Sequence, residues 1–529
     1  MSAKDREAKV KPLALPGYVF EKDPALILEE VLTPEGPAFC RYWVGDDKWD
    51  IHQGVFDLGV DPPIVPLEDD LLAKGAVLLP GEPLEYGTEG ELLAGLVAWA
   101  GRWVDVDPAL LKLALAVTLT GWLWELCPVL PIINPRGPSE TGKTRLGTTL
   151  WQLSYRGMKG DGALTLASLF RAADRWRGTL YVNEADLPRY RRAEDSETSA
   201  LIKFYNARYE KKGFIWRVNK RTMELEAFPV FGPTILVTRR GFSDDALESR
   251  CLVILMQTTA REDIPLNLPP AFYEEAAVWR RKLLLFRLRH RLSFENDYEA
   301  RIPGLQPRMQ QILQPVVSLA KMISPSLVRE IEGLAVDLNE RVVEDRATSY
   351  EGQLVRAFAR LKAARPGNVW RLPPEEVEAG QCRRCGKVRD LPWRDLNAVL
   401  FCDNCRADLE EGELVTATII ADVLNVGRKE NRQVTPQAVG VRAKGLGLES
   451  RMKPDRSQRY LDAEPELLRH LLQKYAPREE REDLLAALGL ADRSGQQSIS
   501  QVVGPEPAPK EGQESETKTS MEAPSRAGS

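Results

Sequence analysis

The sequence has little histidine, no excess of basic residues and no long apolar run. Only three of its 529 residues are histidines, at positions 52, 290 and 470, so no Ser-His-Asp set of a hydrolase is visible. The chain has 72 basic and 77 acidic residues, a net charge of −5, so contact with nucleic acid requires local basic patches. No apolar run approaches the roughly 18 to 20 residues of a membrane span, and the most apolar segment, 110–130, contains Lys112 and Glu125. It predicts a buried helix and no membrane partner.

The N-terminus and the cysteines point to a reducing compartment. The first residues are charged with no apolar stretch behind them, which is not the pattern of a secretory signal, so we expect a cytoplasmic location. Seven cysteines, an odd number in a long chain, argue against a disulfide framework.

At roughly 150 residues per domain, the length suggests three or four folded units, and the apolar pattern divides the chain into segments. Between 131 and 260, short apolar strands at 131–134, 179–182, 233–238 and 251–255 alternate with helical stretches, which predicts an α/β fold with a parallel sheet. The predicted segments are a β-rich region at 1–80, a helical lead-in at 81–130, the α/β core at 131–260, a helical lid at 261–370, a cysteine module at 375–410, a compact helical module at 411–478 and a disordered tail at 491–529.

A phosphate loop is the most specific motif. The pattern G-x-x-x-x-G-K-[ST] is fulfilled by Gly137, Pro138, Ser139, Glu140, Thr141, Gly142, Lys143 and Thr144. An apolar strand precedes it and a helix-forming stretch follows, which is the context the motif requires. Backbone N–H groups of such a loop cradle the phosphates of ATP, with Lys143 on the β- and γ-phosphates and the Thr144 hydroxyl on Mg²⁺.

A second strand supplies the polar groups that ATP hydrolysis needs. Glu184 lies 41 residues after Lys143 and is the candidate that polarises the attacking water. Asn183 stands where an aspartate is usual; its amide can orient a metal-bound water but brings no charge, so we expect weaker Mg²⁺ binding, with Asp186 as a partial substitute. Hydrolysis is favoured over nucleotide binding alone.

Two further residues are candidates for sensing or stabilising the γ-phosphate. In ring-forming ATPases the end of a third strand carries a phosphate sensor, and Thr238 lies at that position. Arg250 lies just before the last core strand, where an arginine can reach the γ-phosphate bound by a neighbouring subunit. Its planar guanidinium suits the charge that develops on the phosphoryl group. The alternative is a local ion pair of Arg250 with Asp244, Asp245 or Glu248.

These segments resemble a family. Residues 78–87, 178–186, 230–239 and 245–251 look like those of P-loop ATPases carried by bacterial phages and integrative elements, which are similar to AAA+ ATPases and to viral and plasmid superfamily III helicases. The likeness spans roughly residues 75–325. It implies a P-loop NTPase core of AAA+ type with a helical lid, and assembly into a homo-oligomeric ring.

The cysteine module has the spacing of a zinc ribbon. The pattern C-x2-C-x16-C-x2-C is formed by Cys382, Cys385, Cys402 and Cys405, which suits one tetrahedral Zn²⁺. Redox-active dithiols share the spacing and remain an alternative. Basic residues around the first pair make DNA contact a second role for this module. The other cysteines, Cys40, Cys127 and Cys251, lie in apolar settings and are predicted to be buried.

A winged helix is predicted after the cysteine module. A first helix at 415–425 is followed by a second that starts sharply at Thr435 and Pro436, and by a stretch that suits a β-wing. Residues 426–459 hold nine basic and three acidic residues, the charge footprint of a nucleic-acid site. The candidate DNA contacts are Arg428, Lys429, Arg432, Gln437, Arg442, Lys444, Arg451 and Lys453. The alternative is a winged helix that docks a protein.

Together these patterns favour a Mg²⁺-dependent ATPase that acts on DNA, helicase-like or remodelling, in replication or maintenance of a mobile genetic element. Two alternatives stay open. One is an ATP-switched DNA-binding regulator with little turnover, and the other is a protein remodeller.

Overall fold

The chain folds into two compact units, Met1–Val342 and Val343–Ser529. The computed structural model describes residues 12–21, 25–56, 62–161, 164–185, 196–219, 221–242, 244–363, 369–371, 377, 379–382, 387–395, 400–402, 415–429, 433–452 and 459–491.

The first unit begins with strands. Four antiparallel strands form one sheet in chain order, Gly17–Phe20, Leu26–Thr33, Gly36–Trp43 and Lys48–His52. A separate parallel pair joins Leu13–Ala14 to Ile64–Val65. Side chains alternate along Leu26–Thr33, so one face packs into the main core through Ile27 and Val31 while the other packs on Phe39 and Phe56.

Helices lead from this sheet to the core of the unit. They are Asp70–Ala73, Glu89–Gly101 and Pro108–Thr120, followed by a 3-10 turn at Gly121–Leu126. A capping box of Thr88 and Glu91 begins the second helix, and Asp107 caps the third. By length and composition the segment Pro108–Leu126 could cross a membrane, but 72% of it is buried inside the fold. This confirms the predicted buried helix.

A six-stranded sheet forms the centre of the first unit. Its spatial order is Cys251–Leu255, Ile132–Arg136, Thr234–Leu236, Leu180–Asn183, Gly157–Asp161 and Val77–Leu78. The first five strands are parallel and the last is antiparallel to its neighbour. The predicted α/β class with a parallel sheet is therefore confirmed. The strand Gly157–Asp161 was not predicted, because its GMKGD sequence has no apolar run.

Helices and one hairpin surround this sheet. The helices are Lys143–Gln152, Leu166–Trp176, Ser196–Arg208, Asp245–Glu248, Pro270–His290, Pro307–Ile323 and Pro325–Ala347, the last of which crosses into the second unit. The hairpin pairs Phe214–Val218 with Leu225–Pro229 and exposes Trp216 and Leu225.

A buried ion network joins the N-terminal sheet to the segments around the six-stranded sheet of the same unit. Glu29 Oε1 accepts from Arg287 Nε at 2.6 Å, and Glu29 Oε2 accepts from Arg156 Nη2 at 2.6 Å and from the Tyr155 hydroxyl at 2.9 Å. Arg287 also pairs with Glu125 at 2.5 Å. The side chains of Glu29, Arg156 and Arg287 are at most 6% exposed, so water does not solvate their three charges. The bonds of the network compensate for this lost solvation.

The second unit contains helices around one apolar core and short sheets of two or three strands. Among the residues that the structure describes, the helices are Tyr350–Ala363, Ala417–Asn425, Pro436–Gly445, Pro465–Tyr475 and Arg478–Ala487. The strands are Val369–Arg371, Trp393–Asp395 and Leu400–Phe401 in one sheet, Ala379–Gln381 with Val388–Asp390, and Glu449–Met452 with Arg459–Asp462.

Two sequence predictions bear on this unit. Helix Tyr350–Ala363, which the sequence assigned to the lid, packs here in the same core as the helices after it. The predicted helix start is confirmed, since Thr435 caps the helix and Pro436 is its first residue. The zinc ribbon and the winged helix stay predictions, and the predicted tail from residue 492 onward lies outside the described residues.

Candidate nucleotide-binding site

The phosphate-loop residues connect the strand Ile132–Arg136 to the helix Lys143–Gln152 at the carboxyl edge of the sheet. Gly142 has φ +79°, a left-handed conformation that suits glycine, and it occupies the N-cap position of the helix. Gly147 lies one turn into this helix, where an added Cβ would come within 2.6 Å of Val237 Cγ2. The two glycines therefore set the loop's turn and allow the helix to lie close on the sheet, with its N-terminus at the loop.

The loop is open to solvent and held by its own side chains. Pro138, Ser139 and Glu140 are exposed. The Thr141 hydroxyl donates to the Pro138 carbonyl oxygen at 2.9 Å, and Lys143 Nζ donates to the same oxygen at 2.8 Å. An open loop at a helix N-terminus is suited to bind an anion.

The structure brings together the two residues predicted to hold magnesium. The Thr144 hydroxyl donates to Asn183 Oδ1 at 3.1 Å, although the residues lie 39 positions apart. Asn183 ends the strand Leu180–Asn183, two strands away from the one that leads into the loop. Hydroxyl and amide oxygens at this spacing are suitable ligands for Mg²⁺ or its bound waters.

Glu184 follows Asn183 at the same edge of the sheet. Its φ is +54°, uncommon for a residue with a side chain, and such conformations concentrate at functional sites. The carboxylate is 63% exposed and lies 3.7 Å from Arg239 Nη2. Asp186, the predicted partial substitute for Asn183, lies outside the described residues.

Thr238 is buried beneath the loop, at 1% exposure. Its carbonyl oxygen accepts from Gly137 N at 3.3 Å, and its hydroxyl accepts from Asn134 Nδ2 at 3.0 Å. Asn134 is itself fully buried, and sequence analysis missed it. A single amide in the apolar strand before the phosphate loop is the signal that marks this position.

Arg250 lies at the opposite edge of the sheet. Its carbonyl accepts from Ile132 N, so Arg250 is beside the amino ends of the strands, whereas the phosphate loop is at the carboxyl ends. The guanidinium donates to the Ala246 carbonyl and lies 5.1 Å from the Tyr209 ring centroid. Burial, with a smaller contribution from Arg308, lowers the pKa of Arg250.

Two of the three acidic neighbours considered as ion-pair partners of Arg250 have other contacts, and the third, Asp245, is exposed. Glu248 pairs with Arg136 at 2.8 Å, and Asp244 accepts from Leu247 N as the cap of the short helix.

The cysteines agree in part with the sequence. Cys382 and Cys402 are buried in one small cluster with Leu391, whereas Cys385 and Cys405 lie outside the described residues. Among the residues that the structure describes, no three His, Cys, Asp or Glu side chains form a group that could hold a metal ion. Zinc binding stays a prediction. The three remaining cysteines are buried as predicted, and burial raises the pKa of each thiol.

The predicted DNA-binding residues differ in whether their side chains contact other residues of this unit. Lys429, Gln437 and Lys444 are exposed. Arg428 donates to Gln353 Oε1 at 2.5 Å, and Arg442 pairs with Glu351 at 2.5 Å. The two partners, Gln353 and Glu351, lie on helix Tyr350–Ala363.

Of the three remaining candidates for DNA contact, one is an arginine paired with carboxylates and two lie outside the described residues. Arg451 lies among the carboxylates of Glu449, Asp462 and Glu464, at 2.8, 3.2 and 3.5 Å. Arg432 and Lys453 lie outside the described residues. Because Arg442 and Arg451 are paired with carboxylates, the unpaired positive charge of the described part of this segment is smaller than the sequence count.

No protein-family model and no curated protein matches the sequence. Among solved structures, the apo C-terminal region of NrS-1 is 12% identical, with 63% of this chain and 78% of that chain covered and a TM-score of 0.28. Two structures of JCV helicase, one with a bound acetamide compound and one with a bound inhibitor, are 14% and 16% identical, cover 49% and 50% of this chain, and have TM-scores of 0.22 and 0.21. The match spans 62% of each helicase chain, less than two thirds of its length. At these identities and TM-scores we base the function on this chain's own residues.

Proposed function

We propose that this chain is a Mg²⁺-dependent ATPase that acts on DNA as a helicase-like or remodelling motor. The observation that carries the proposal is the 3.1 Å contact between Thr144 and Asn183, because it joins a complete phosphate loop to the polar end of a second strand. A Gly-rich turn that does not bind nucleotide would not require a polar residue such as Asn183 beside Thr144.

Each residue at the carboxyl edge has a role in this chemistry. The loop N–H groups and the helix N-terminus bind phosphate oxygens, and Lys143 exchanges the Pro138 carbonyl for the β- and γ-phosphates. Thr144 and Asn183 hold Mg²⁺, which neutralises phosphate charge when bound. Glu184 orients and polarises the attacking water. Because Asn183 is neutral, this site holds Mg²⁺ less tightly than one with an aspartate.

The position of Arg250 supports action between subunits. The strand that follows it has five residues and spans roughly 16 Å, so Arg250 is far from the phosphate loop of its own chain. In a homo-oligomeric ring it would serve the γ-phosphate of a neighbour, where an arginine contributes about 10³- to 10⁵-fold in kcat.

The second unit is the proposed DNA-binding part. Lys429 and Lys444 supply exposed positive charge, and we propose a zinc ribbon and a winged helix as its modules. In this proposal ATP hydrolysis moves the DNA-binding units of a ring, as replication or maintenance of a mobile element requires.

The test is the steady-state ATPase rate with and without single- and double-stranded DNA. Wild type is compared with Lys143→Ala, Glu184→Gln and a control, Lys203→Ala, which changes an exposed lysine on helix Ser196–Arg208. The motor predicts a DNA-stimulated rate that the first two substitutions abolish and the control retains.

The two alternative functions give other results. Site-specific duplex binding with little turnover would indicate an ATP-switched regulator, for which the neutral Asn183 is the supporting observation. ATP hydrolysis that DNA does not affect would indicate a protein remodeller.

A further inference from the structure

Four side chains form a continuous network between the phosphate loop and the short helix Asp245–Glu248. Asn134 Nδ2 donates to the Thr238 hydroxyl at 3.0 Å, and Asn134 Oδ1 accepts from Arg136 Nη2 at 2.7 Å and Nε at 3.0 Å. Arg136 then binds Glu248 with two bonds, Nη1 to Oε1 and Nη2 to Oε2, each 2.8 Å long. Charge-assisted bidentate pairs of this kind are strong and fix orientation.

The network is connected to the phosphate loop at one end. Gly137, the first loop residue, donates its N–H to the Thr238 carbonyl, and Arg136 directly precedes it in the chain. Asn134 and Thr238 are buried and the Arg136 side chain is 13% exposed, so the bonds among these three residues are shielded from water, whereas the Glu248 side chain is 32% exposed.

The other end of the network holds the segment that carries Arg250. Glu248 Oε2 accepts from Phe242 N at 2.8 Å, which closes the loop after Thr238, and Glu248 ends the helix two residues before Arg250. The Arg250 guanidinium donates to Ala246 in the same helix. Fixing this helix therefore also fixes the base of Arg250.

We propose that Glu248, held by Arg136, is a positioning residue that places Arg250 for the phosphate of the neighbouring subunit. The inference rests on the proposed ATPase function. Because the pair is anchored at the phosphate loop of its own chain, it also connects each nucleotide site to the arginine that the same subunit offers to the next.

Mixed oligomers test this role separately from the chemistry. Lys143→Ala subunits lack a working nucleotide site but offer an intact Arg250, and Arg250→Ala subunits have the reverse defect. Mixing the two is expected to restore ATPase activity. A Lys143→Ala/Glu248→Gln subunit is expected to restore at least roughly tenfold less, since a misplacement of about 1 Å costs on the order of 10²-fold in rate.

Controls separate positioning from folding. Lys143→Ala/Asp245→Asn changes an exposed carboxylate on the same helix and is expected to restore activity fully. As a single variant, Glu248→Gln is expected to lower kcat with unchanged affinity for ATP, and Glu248→Asp, which keeps the charge, to lower kcat less. In the Arg250→Ala background, Glu248→Gln is expected to have no further effect on kcat.

The outcomes distinguish this inference from the proposed function. If Lys143→Ala/Glu248→Gln restores as much activity as Lys143→Ala, the positioning role is overturned and the proposed ATPase function stands. The same conclusion follows if Glu248→Gln lowers kcat further in the Arg250→Ala background. Active wild type with no complementation between Lys143→Ala and Arg250→Ala shows that Arg250 does not act between subunits, which overturns the positioning role too. Wild type without ATPase activity overturns the proposed function itself.

Discussion

Glu29→Gln tests the buried ion network that joins the N-terminal sheet to the core of the first unit. The substitution keeps the shape of the side chain and removes its charge. Burial alone would raise the pKa of Glu29, but the charges of Arg156 and Arg287 outweigh it and hold the pKa below its ordinary value, so the carboxylate is ionised at neutral pH. The variant therefore removes a charge and places an NH₂ group among guanidinium donors.

The structure sets the size of the effect. Arg287 keeps its bonds to Glu125, whereas Arg156, 6% exposed, loses its 2.6 Å carboxylate partner and retains carbonyl acceptors. Breaking one partner of a buried pair costs about 3–5 kcal/mol. With an unfolding entropy of about 2.1 cal/mol/K per residue over roughly 340 residues, this corresponds to a fall in Tm of about 4–7 °C.

Thermal unfolding by circular dichroism or calorimetry measures this shift. The control is Glu35→Gln, which changes an exposed carboxylate at the turn after the same strand and should stay within about 0.5 kcal/mol of wild type. A Glu29→Gln transition at the same temperature as that control would refute the reasoning.

Three further predictions concern acid stability, zinc and DNA. Burial would raise the pKa of Glu125, but the pairing with Arg287 outweighs burial and lowers this pKa from 4.5 to about 2. The ionised carboxylate therefore contributes about 3 kcal/mol to the free energy of unfolding above pH 4.5, and this contribution is lost as the pH falls toward 2. Urea unfolding of Glu125→Gln should accordingly depend less on pH in that range than unfolding of wild type. Metal analysis of the purified protein should find about one Zn²⁺ per chain, reduced by Cys382→Ser and by Cys402→Ser, whereas unchanged zinc in both variants would contradict the ribbon. Lys444→Ala should weaken duplex binding and lower its salt dependence by about one unit in a fluorescence-anisotropy titration, and Arg451→Ala, whose charge is already paired with carboxylates, should change both less; the reverse order would contradict the assignment.

The parts of the fold that follow local patterns could be predicted from the sequence. The strands around the phosphate loop have apolar runs, and Gly142 takes the left-handed conformation that the motif requires. Cys40, Cys127 and Cys251 are buried, as expected for cysteines in apolar segments. In each case a few neighbouring residues contain the information.

Features that depend on contacts between distant residues could not be predicted. The Arg136–Glu248 pair joins positions 112 residues apart, and no local sequence pattern connects the two residues. A count of basic residues could not show that Arg428 and Arg442 contact helix Tyr350–Ala363, since their partners lie about 75 and 90 positions earlier. Charge counts include paired and unpaired residues alike, and only the fold separates them.

The most direct test of the central claim is phosphate release from Mg²⁺-ATP by wild type and by Glu184→Gln, with ATP affinity measured on the same samples. The proposed site predicts equal affinity and a rate at least about 10²-fold lower in the variant, because Glu184 acts on the attacking water and does not hold the phosphates. Equal rates of phosphate release in the two proteins would contradict the assignment of Glu184 and, with it, the hydrolytic site described here.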